Sequence, residues 1–283
     1  MSAARRTSQS IETCMNDERT ALAGKVALIT GSSRGIGRGI ALELASAGCD
    51  VMLTGRDAKA LESVAAEVRA LGRKAAVHAA DLTAGAEPAR LIGVLTCEFG
   101  RLDILVNNAG GARRGDFFTQ PEEDWRDGFE LKFFAHVRLC RLAWPLLKAA
   151  QGSVVFIEGI GARAPVADYM IGACVIGAGL AFMKALADLG KHDGVQVNAV
   201  NPGSVTTDRF RHRLDIIMKK TGLDEAAAIE RHRRELDITS FGTPEDIAAL
   251  VRFIVSPRGR LLHGASLDMD GGQSVPLRMS NYD

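Results

Sequence analysis

The chain has 283 residues, 47% of them hydrophobic, and its 35 basic and 34 acidic side chains leave a net charge of +1. This length allows one large domain or two small ones around a substantial buried core. The balanced charge gives no electrostatic reason to expect nucleic acid or an anionic membrane as a partner.

The N-terminal segment, residues 1–21, is polar and lacks the apolar stretch of a secretory signal, so we interpret it as a flexible extension. The five cysteines are widely spaced and form no C-x-x-C pair, which is typical of a reduced intracellular protein. The longest apolar run, residues 170–183, is shorter than the roughly 20 residues that span a bilayer. The sequence therefore predicts a soluble, cytoplasmic protein.

Strand-like and helix-like segments alternate along the chain from residue 25 onward. Short apolar runs rich in β-branched residues predict strands at 25–30, 50–54, 75–80, 103–108, 152–158, 195–200 and 265–270. Helical patterns between them predict helices at 35–47, 58–71, 86–98, 121–150, 170–189 and 243–255. We expect Pro145 to bend the fourth helix or to end it early. The alternation predicts a parallel sheet with helices on both faces, in a single domain over residues 22–283.

Residues 208–240 break this alternation and are rich in charge, in the stretches RFRHR and RHRRE. They are interpreted either as two solvated helices or as a lid over a substrate pocket, since long excursions from a compact domain are often functional. We assign the segment as a candidate lid. Its basic side chains His212, Arg211, Arg213 and Arg233 hint at an anionic ligand, and solvated helices explain them equally well.

The segment T-G-S-S-R-G-I-G, residues 30–37, lies where the first predicted strand gives way to the first helix. Glycines there allow a tight turn and a close approach to a pyrophosphate, and the helix N-terminus supplies free N–H groups. Because the strand, turn and helix are all predicted, we interpret residues 30–37 as the phosphate cradle of a dinucleotide. Its cofactor-binding candidates are Gly31, Ser33, Arg34, Gly35, Ile36 and Gly37.

The end of the second strand indicates which dinucleotide binds. An acidic residue at that position would accept a hydrogen bond from the ribose 2′-hydroxyl of NAD. Here the strand ends in Arg56, and Arg34 lies within the cradle, so two guanidiniums are available for a 2′-phosphate. The sequence therefore favours NADP(H) over NAD(H). In the alternative, Asp57 turns inward and NAD(H) binds.

Further motifs resemble the short-chain dehydrogenase/reductase superfamily over about residues 22–273. Besides the cradle they are Asp81-Leu82, Asn107-Asn108-Ala109-Gly110, Asn198-Ala199-Val200-Asn201-Pro202-Gly203 and Asp270-Gly271-Gly272. The resemblance implies an α/β fold with a Rossmann-like, doubly wound, seven-stranded parallel sheet. It also implies cofactor contacts from Asp81 and Leu82 at the adenine, from Asn108, Ala109 and Gly110 in mid-site, and from Pro202, Gly203, Val205 and Thr207 at the nicotinamide end.

Members of this superfamily use an Asn–Ser–Tyr–Lys tetrad, in which the tyrosine exchanges a proton as hydride moves. Counting without gaps from Trp125 places Lys132 at the asparagine position. The same counting places Gly159 at the serine position, Gly172 at the tyrosine position and Ile176 at the lysine position. In this register all four catalytic side chains are replaced.

Three polar residues near these positions are the catalytic candidates: Lys132, Glu158 and Tyr169. A Lys132–Glu158 ion pair beside the Tyr169 phenol would form a rewired acid/base set. In the alternative, Lys132 only neutralises Glu158, and Tyr169 packs at the rim of the site. A register shifted by three residues would make Tyr169 the usual acid, but Ala173 would then replace the lysine.

Three functional hypotheses follow. The first is an NADP(H)-dependent oxidoreductase with a non-standard proton site, acting on a carbonyl or alcohol of unknown identity. The second is a catalytically inactive dinucleotide-binding protein, as a sensor or partner subunit, and the third is an ordinary oxidoreductase that uses Tyr169.

The predicted helix over 170–189 is apolar nearly all round, which indicates burial on all sides. Because the superfamily habitually pairs subunits through this helix, the resemblance implies a homodimer or homotetramer. Burial under the termini of the same chain is the alternative.

Overall fold

The computed structural model describes residues 20–274, so the predicted flexible extension lies outside the described residues except for its last two. The strands, β1 to β7 in chain order, are Val26–Thr30, Asp50–Gly55, Ala75–Ala79, Ile104–Asn107, Ser153–Ile157, Gln196–Pro202 and Ser266–Met269. They form one sheet in the order β3-β2-β1-β4-β5-β6-β7, and every neighbouring pair is parallel. The predicted seven-stranded, doubly wound α/β fold is confirmed.

The α-helices of the described residues flank this sheet. In chain order α1 to α9 are Gly35–Ser46, Ala58–Ala70, Glu87–Phe99, Glu122–Phe129, Ala135–Ala150, Met170–Asp193, Asp208–Thr221, Glu225–Glu235 and Pro244–Val255. The central strands β1, β5 and β6 are buried at every residue, because helices cover both faces of the sheet.

The core has two halves, one on each face of the sheet. On one face, α1, α2 and α9 contribute Ile40, Leu61 and Ile247 to a buried cluster. On the other face, α3, α5 and α6 contribute members such as Leu91 and Met183. Two independent apolar layers therefore fix the strands, and the carboxyl ends of those strands form one edge on which polar residues can be placed.

The predicted helix 121–150 is divided in the structure. A π-helical turn, Glu130–Phe134, separates α4 from α5. The expectation that Pro145 ends the helix is wrong, because α5 continues to Ala150. Pro145 and Arg141 are exposed, so water can replace the helical N–H that proline withholds from the Arg141 carbonyl. The π turn directs Lys132 inward, where its side chain is buried.

Helix α6 is the most apolar helix of the described residues. By length and composition, Ala167–Asp193 passes for a membrane span, with a mean hydropathy of 1.9, which the sequence argument from run length alone did not anticipate. In the fold α6 packs on β6 and buries Ile171, Val175 and Met183, as a core helix does. Its outer side leaves Leu189 half exposed.

The candidate lid, residues 208–240, forms α7 and α8, which pack on each other. Phe210 and Phe241 approach to 4.7 Å between ring centroids, and His232 stacks on Phe241 at 5.7 Å. Burial lowers the pKa of His232, and the nearby charge of Arg213 lowers it further. The two helices of this segment are thus held together by a small aromatic cluster that includes the neighbouring Phe241.

Candidate active site

The phosphate cradle connects β1 to α1. Gly31 and Gly35 have φ angles of +64° and +53°, which favour glycine. A Cβ on Gly37 would overlap the carbonyl oxygen of Gly31, so the first turn of α1 can lie against the strand end only if residue 37 is glycine. Arg34 caps α1 without a side-chain hydrogen bond, and the first turn holds no acidic residue. The free N–H groups of this turn therefore fit a bound pyrophosphate.

The end of β4 is joined to the end of β1 through Thr30. Its hydroxyl oxygen accepts hydrogen bonds from the backbone N–H groups of Asn108, at 2.9 Å, and Ala109, at 2.8 Å. The Asn108 side-chain amide donates to the Thr30 carbonyl oxygen at 2.8 Å. These bonds place Asn108, Ala109 and Gly110 beside the cradle, at the point where the strand order reverses. Open α/β sheets bind ligands at such a crevice.

The two charged side chains that follow β2 differ in their hydrogen bonds. The Asp57 carboxylate accepts a hydrogen bond from the backbone N–H of Ala60 at 3.0 Å and so caps α2. Arg56 has no hydrogen bond or ion pair with any residue between 20 and 274. Ser33 of the cradle lies next to Gly55, with its Oγ 3.8 Å from a Cβ built there. Arg56 is therefore available to a ligand, whereas the Asp57 carboxylate is already hydrogen-bonded to the backbone of α2.

The adenine-side candidates Asp81 and Leu82 follow β3, and the cradle candidate Ile36 lies on α1. The Asp81 carboxylate is exposed and accepts hydrogen bonds from the backbone N–H and the hydroxyl of Thr83, which lower its pKa. Leu82 is buried, and Ile36 packs against the apolar core beside α1.

The candidates that follow β6 lie opposite the cradle. A Cβ on Gly203 would approach the Cα of Asp270 to 2.7 Å, so the Pro202-Gly203 turn needs its glycine. Val205 is buried and pairs with Gly242 in an isolated bridge. The methyl group of Thr207 lies 3.3 Å from a Cβ built on Gly35. The start of the lid thus rests on the cradle.

The predicted Lys132–Glu158 ion pair is present and sealed from solvent. Lys132 Nζ lies 3.3 Å from Glu158 Oε2 and donates to the carbonyl oxygen of Ile157 at 2.9 Å. The lysine stem packs on Gly110, and the carboxylate lies against Gly179 of α6. Within the described residues neither oxygen of Glu158 accepts a well-formed hydrogen bond. Burial raises the pKa of Glu158, and the Lys132 charge opposes that rise.

Tyr169 ends a 3₁₀ turn and is the N-cap residue of α6. Its ring lies on the Cα of Gly172, in the volume that any side chain at position 172 would occupy. The Arg114 guanidinium lies 4.5 Å from the ring centroid and is paired with Asp168 at 2.7 Å. Ile176, one turn further along α6, is buried. The Tyr169 hydroxyl is therefore a polar group available at the start of α6.

The three catalytic candidates do not form one cluster. Glu158 lies against Gly179 and Tyr169 against Gly172, and these two glycines are seven residues apart on α6. Seven residues correspond to about 10 Å along a helix. The structure therefore brings Lys132 and Glu158 together and places Tyr169 about two turns away.

Two residues near the site were missed in the sequence. Arg114, over the Tyr169 ring, lies in a loop that carries no motif. His136 follows Lys132 by one helical turn, and its Nε2 lies 2.8 Å from the Ala109 carbonyl oxygen. Burial, and then the charge of Lys132, lower the pKa of His136 to about 3. The spacing of four residues from Lys132 was the one signal that could have identified it.

A groove of about 410 Å³ lies beside the cradle. The lid helices line it through Phe210, Leu214 and Ile229, and Gly35 and Pro244 close its other side. None of the three catalytic candidates borders it. The groove therefore adjoins the cradle and the segment that follows β6, and the three catalytic candidates lie outside its lining.

A family model described as short chain dehydrogenase matches residues 25–217. Hydroxynaphthalene reductase of Aspergillus fumigatus is 34% identical over 249 residues, which are 86% of this chain and 90% of that protein.

Two solved structures show the same architecture. L-sorbose reductase from Gluconobacter frateurii, complexed with NADPH and L-sorbose, matches with a TM-score of 0.87 and 30% identity over 92% of this chain and 100% of that one. A 7α-hydroxysteroid dehydrogenase complexed with NADH and 7-oxo glycochenodeoxycholic acid matches with a TM-score of 0.81 and 29% identity over 91% and 97% of the two chains.

Proposed function

The chain belongs to the short-chain dehydrogenase family, and from that premise we propose that it is an NADP(H)-dependent oxidoreductase of small carbonyls or alcohols. The observation that carries the proposal is the phosphate cradle at the end of β1. Its glycines leave no room for side chains, and the first turn of α1 presents unpaired N–H groups to a pyrophosphate.

The preference for NADP(H) is supported by the carboxyl end of β2 and by the cradle. Arg56 and Arg34 are exposed, and Arg34 has only a distant partner, Asp208, at 3.9 Å. The acidic alternative, Asp57, is engaged as the cap of α2. A 2′-phosphate would therefore meet two cations, whereas the 2′-hydroxyl of NAD(H) would find no free carboxylate at this strand end.

Tyr169 is proposed as the residue that exchanges the proton with the substrate oxygen. The bound dinucleotide supplies or accepts the hydride. Charge that develops on the substrate oxygen needs a proton donor within about 3 Å or one water molecule. Lys132 and Glu158 are buried, while Tyr169 is half-buried and its ring takes the volume above Gly172. The family's usual serine, tyrosine and lysine are, in this proposal, replaced by Gly159, Gly172 and Ile176.

Lys132 and Glu158 are proposed to position the cofactor rather than to exchange protons. The Lys132 stem packs on Gly110, and its ammonium donates to the Ile157 carbonyl oxygen. The buried Lys132–Glu158 ion pair holds the end of β5 against the π turn, because separating the two charges would leave each of them buried without a partner.

The proposal also covers the setting in which the protein works. We place it in the cytoplasm as a homodimer or homotetramer. Support for assembly comes from apolar side chains left exposed on adjoining helices, namely Phe134, Leu142 and Leu189, which are 45%, 38% and 50% exposed. Turnover of a panel of aldehydes and ketones would identify the substrate class.

The test combines binding and turnover on the same preparation. Calorimetric titration with NADPH and NADH is expected to give at least about tenfold tighter binding of NADPH, because only NADPH carries the group that Arg34 and Arg56 can pair with. Turnover of a panel of aldehydes and ketones is then measured for the wild type and for Tyr169→Phe. The substitution is expected to lower kcat by about 10²- to 10⁴-fold, since it removes the proton donor and keeps the ring.

The outcomes separate the hypotheses. NADPH affinity of Tyr169→Phe should equal that of the wild type, which shows that the cofactor groove is intact. Turnover that survives this substitution unchanged would remove Tyr169 from the chemistry. Tight NADPH binding without turnover by the wild type on any member of the panel would instead favour an inactive dinucleotide-binding protein.

A further inference from the structure

Arg209 lies in the first turn of helix α7, and its exposed side chain reaches the loop that follows β4. Its Nη2 lies 3.2 Å from a Cβ built on Gly111, which directly follows the Asn108–Gly110 segment at the end of β4. Two residues earlier, the Thr207 methyl group contacts the Gly35 position of the cradle. The first turn of the lid therefore covers the groove between the cradle and the loop after β4, with a guanidinium on its inner edge.

The other cations around this edge are already neutralised. Arg113 pairs with Asp124 at 3.1 Å, and Arg114 pairs with Asp168 at 2.7 Å. The guanidinium of Arg209 forms no hydrogen bond or ion pair with any residue in the described range 20–274. Arg209 is thus a positive charge at the edge of the groove with no anion of the protein to meet it.

The basic residues of the lid that the sequence brought to notice are placed differently. Arg211 pairs with Glu225, and Arg233 forms two hydrogen bonds to Glu230. Both pairs are internal to the lid, so their charge is taken up within it. Arg209 is the cation of the first turn of α7 that contacts the Gly111 position, and it has no such partner among the described residues.

We infer that Arg209 binds an oxyanion group that lies in the groove at Gly111, either a carboxylate carried by the substrate or the diphosphate of the dinucleotide. The inference rests on the proposed function, because it assumes that this groove holds the reactants. Both groups present paired oxygens to which a guanidinium donates two hydrogen bonds in one plane. Glycine at position 111 allows this close approach of the guanidinium to the backbone.

The experiment compares Arg209→Gln with the wild type in two arms. In the first arm, KM and kcat are measured with 4-carboxybenzaldehyde and with its neutral methyl ester. If the partner is a substrate carboxylate, the substitution raises KM for the acid by about 10- to 100-fold and leaves the ester unchanged, since a charge-assisted hydrogen bond is lost. In the second arm, NADPH affinity is titrated. If the partner is the diphosphate, that affinity falls by a similar factor and both aldehydes are affected equally.

Lys220→Gln is the matched control, because it removes the same charge from an exposed position in the last turn of α7. Lys220→Gln should change neither the KM values for the two aldehydes nor the affinity for NADPH. Arg209→Lys should recover part of the lost binding, as it restores the charge without the planar pair of donors.

A protein that reduces neither aldehyde still allows the inference to be tested. Binding of benzoate and of benzamide to the NADP⁺-loaded protein is then compared by saturation-transfer NMR, so that failure of catalysis is distinguished from failure of anion binding. Selective loss of benzoate binding in Arg209→Gln supports the inference. Arg209→Gln with wild-type NADPH affinity and wild-type preference for the carboxylated ligand overturns it.

Discussion

At the scale of single residues, Gly172 and Tyr169 show which details of the site counting along the sequence can predict and which it cannot. Counting along the sequence placed glycine where the family has its tyrosine, and it placed Tyr169 one turn earlier. Counting could not show that the Tyr169 ring folds back over Gly172, because that depends on the extended conformation of Val166 and on Arg114, a residue from a distant loop. Side-chain direction at the end of a helix is set by such contacts rather than by spacing.

Gly172→Ala should separate the position of the phenol from the stability of the helix. A methyl group at residue 172 would overlap the Tyr169 ring, and the ring would swing outward because it is the free end of a side chain. We expect kcat to fall at least about tenfold, since proton transfer depends on placement to within a hydrogen bond. The free energy of unfolding should change by less than about 1 kcal/mol, because alanine favours the helix.

Gly177→Ala is the control for this substitution. The nearest atom to a Cβ at residue 177, the Ala162 Cβ, is 3.9 Å away, so the methyl group fits. The variant should retain wild-type kcat and gain about 0.5–1 kcal/mol in the free energy of unfolding, as measured by urea titration. Equal kcat in both glycine variants would mean that the ring position over Gly172 has no catalytic role.

At the scale of elements, most of the fold could be predicted because local patterns and the tertiary structure agree. The strands β1 and β5 are mostly apolar, and they are buried at every position. The π turn at Glu130–Phe134 was not predicted. Its sequence is compatible with an ordinary helix, and the burial of Lys132 against Glu158, a contact between distant segments, accompanies the wider turn.

Helix α9 begins with a capping box formed by Thr243 and Asp246. Thr243 accepts a hydrogen bond from the Asp246 backbone N–H at 3.1 Å, and the Asp246 carboxylate accepts one from the Thr243 backbone N–H at 2.8 Å. Thr243→Ala should therefore lower the free energy of unfolding by about 1 kcal/mol, and Thr243→Ser should restore most of it. Because α9 packs on α1, a loss larger than about 2 kcal/mol in urea titration would show that more than the cap was removed.

For the whole molecule, buried titratable groups tie stability to pH. His136 is buried with its pKa lowered to about 3, whereas an unfolded chain has a histidine pKa of about 6.5. The unfolded state therefore binds the proton first, and the stability that His136 contributes is complete above about pH 6.5 and is lost as the pH falls toward 3. Glu158 acts with the opposite sign, because burial raises its pKa.

With His136→Gln, the free energy of unfolding should fall less steeply as the pH is lowered. Glutamine can still donate to the Ala109 carbonyl oxygen but binds no proton in this range. Between about pH 6 and 4, the difference between the unfolding free energies of the wild type and the variant should change by about 1.4 kcal/mol per pH unit. Urea titrations at these pH values measure it, and parallel curves for the two proteins would contradict the assignment of His136 as neutral in the fold.

The position of the Tyr169 ring on Gly172 also constrains how such a site can arise or revert. A tyrosine gained at residue 172 would collide with the ring already there, so it brings no benefit until residue 169 has changed. A change at residue 169 alone removes the only phenol among residues 20–274. A side chain at residue 172 and the present position of the Tyr169 ring therefore exclude each other, so moving the phenol to residue 172 requires both positions to change together.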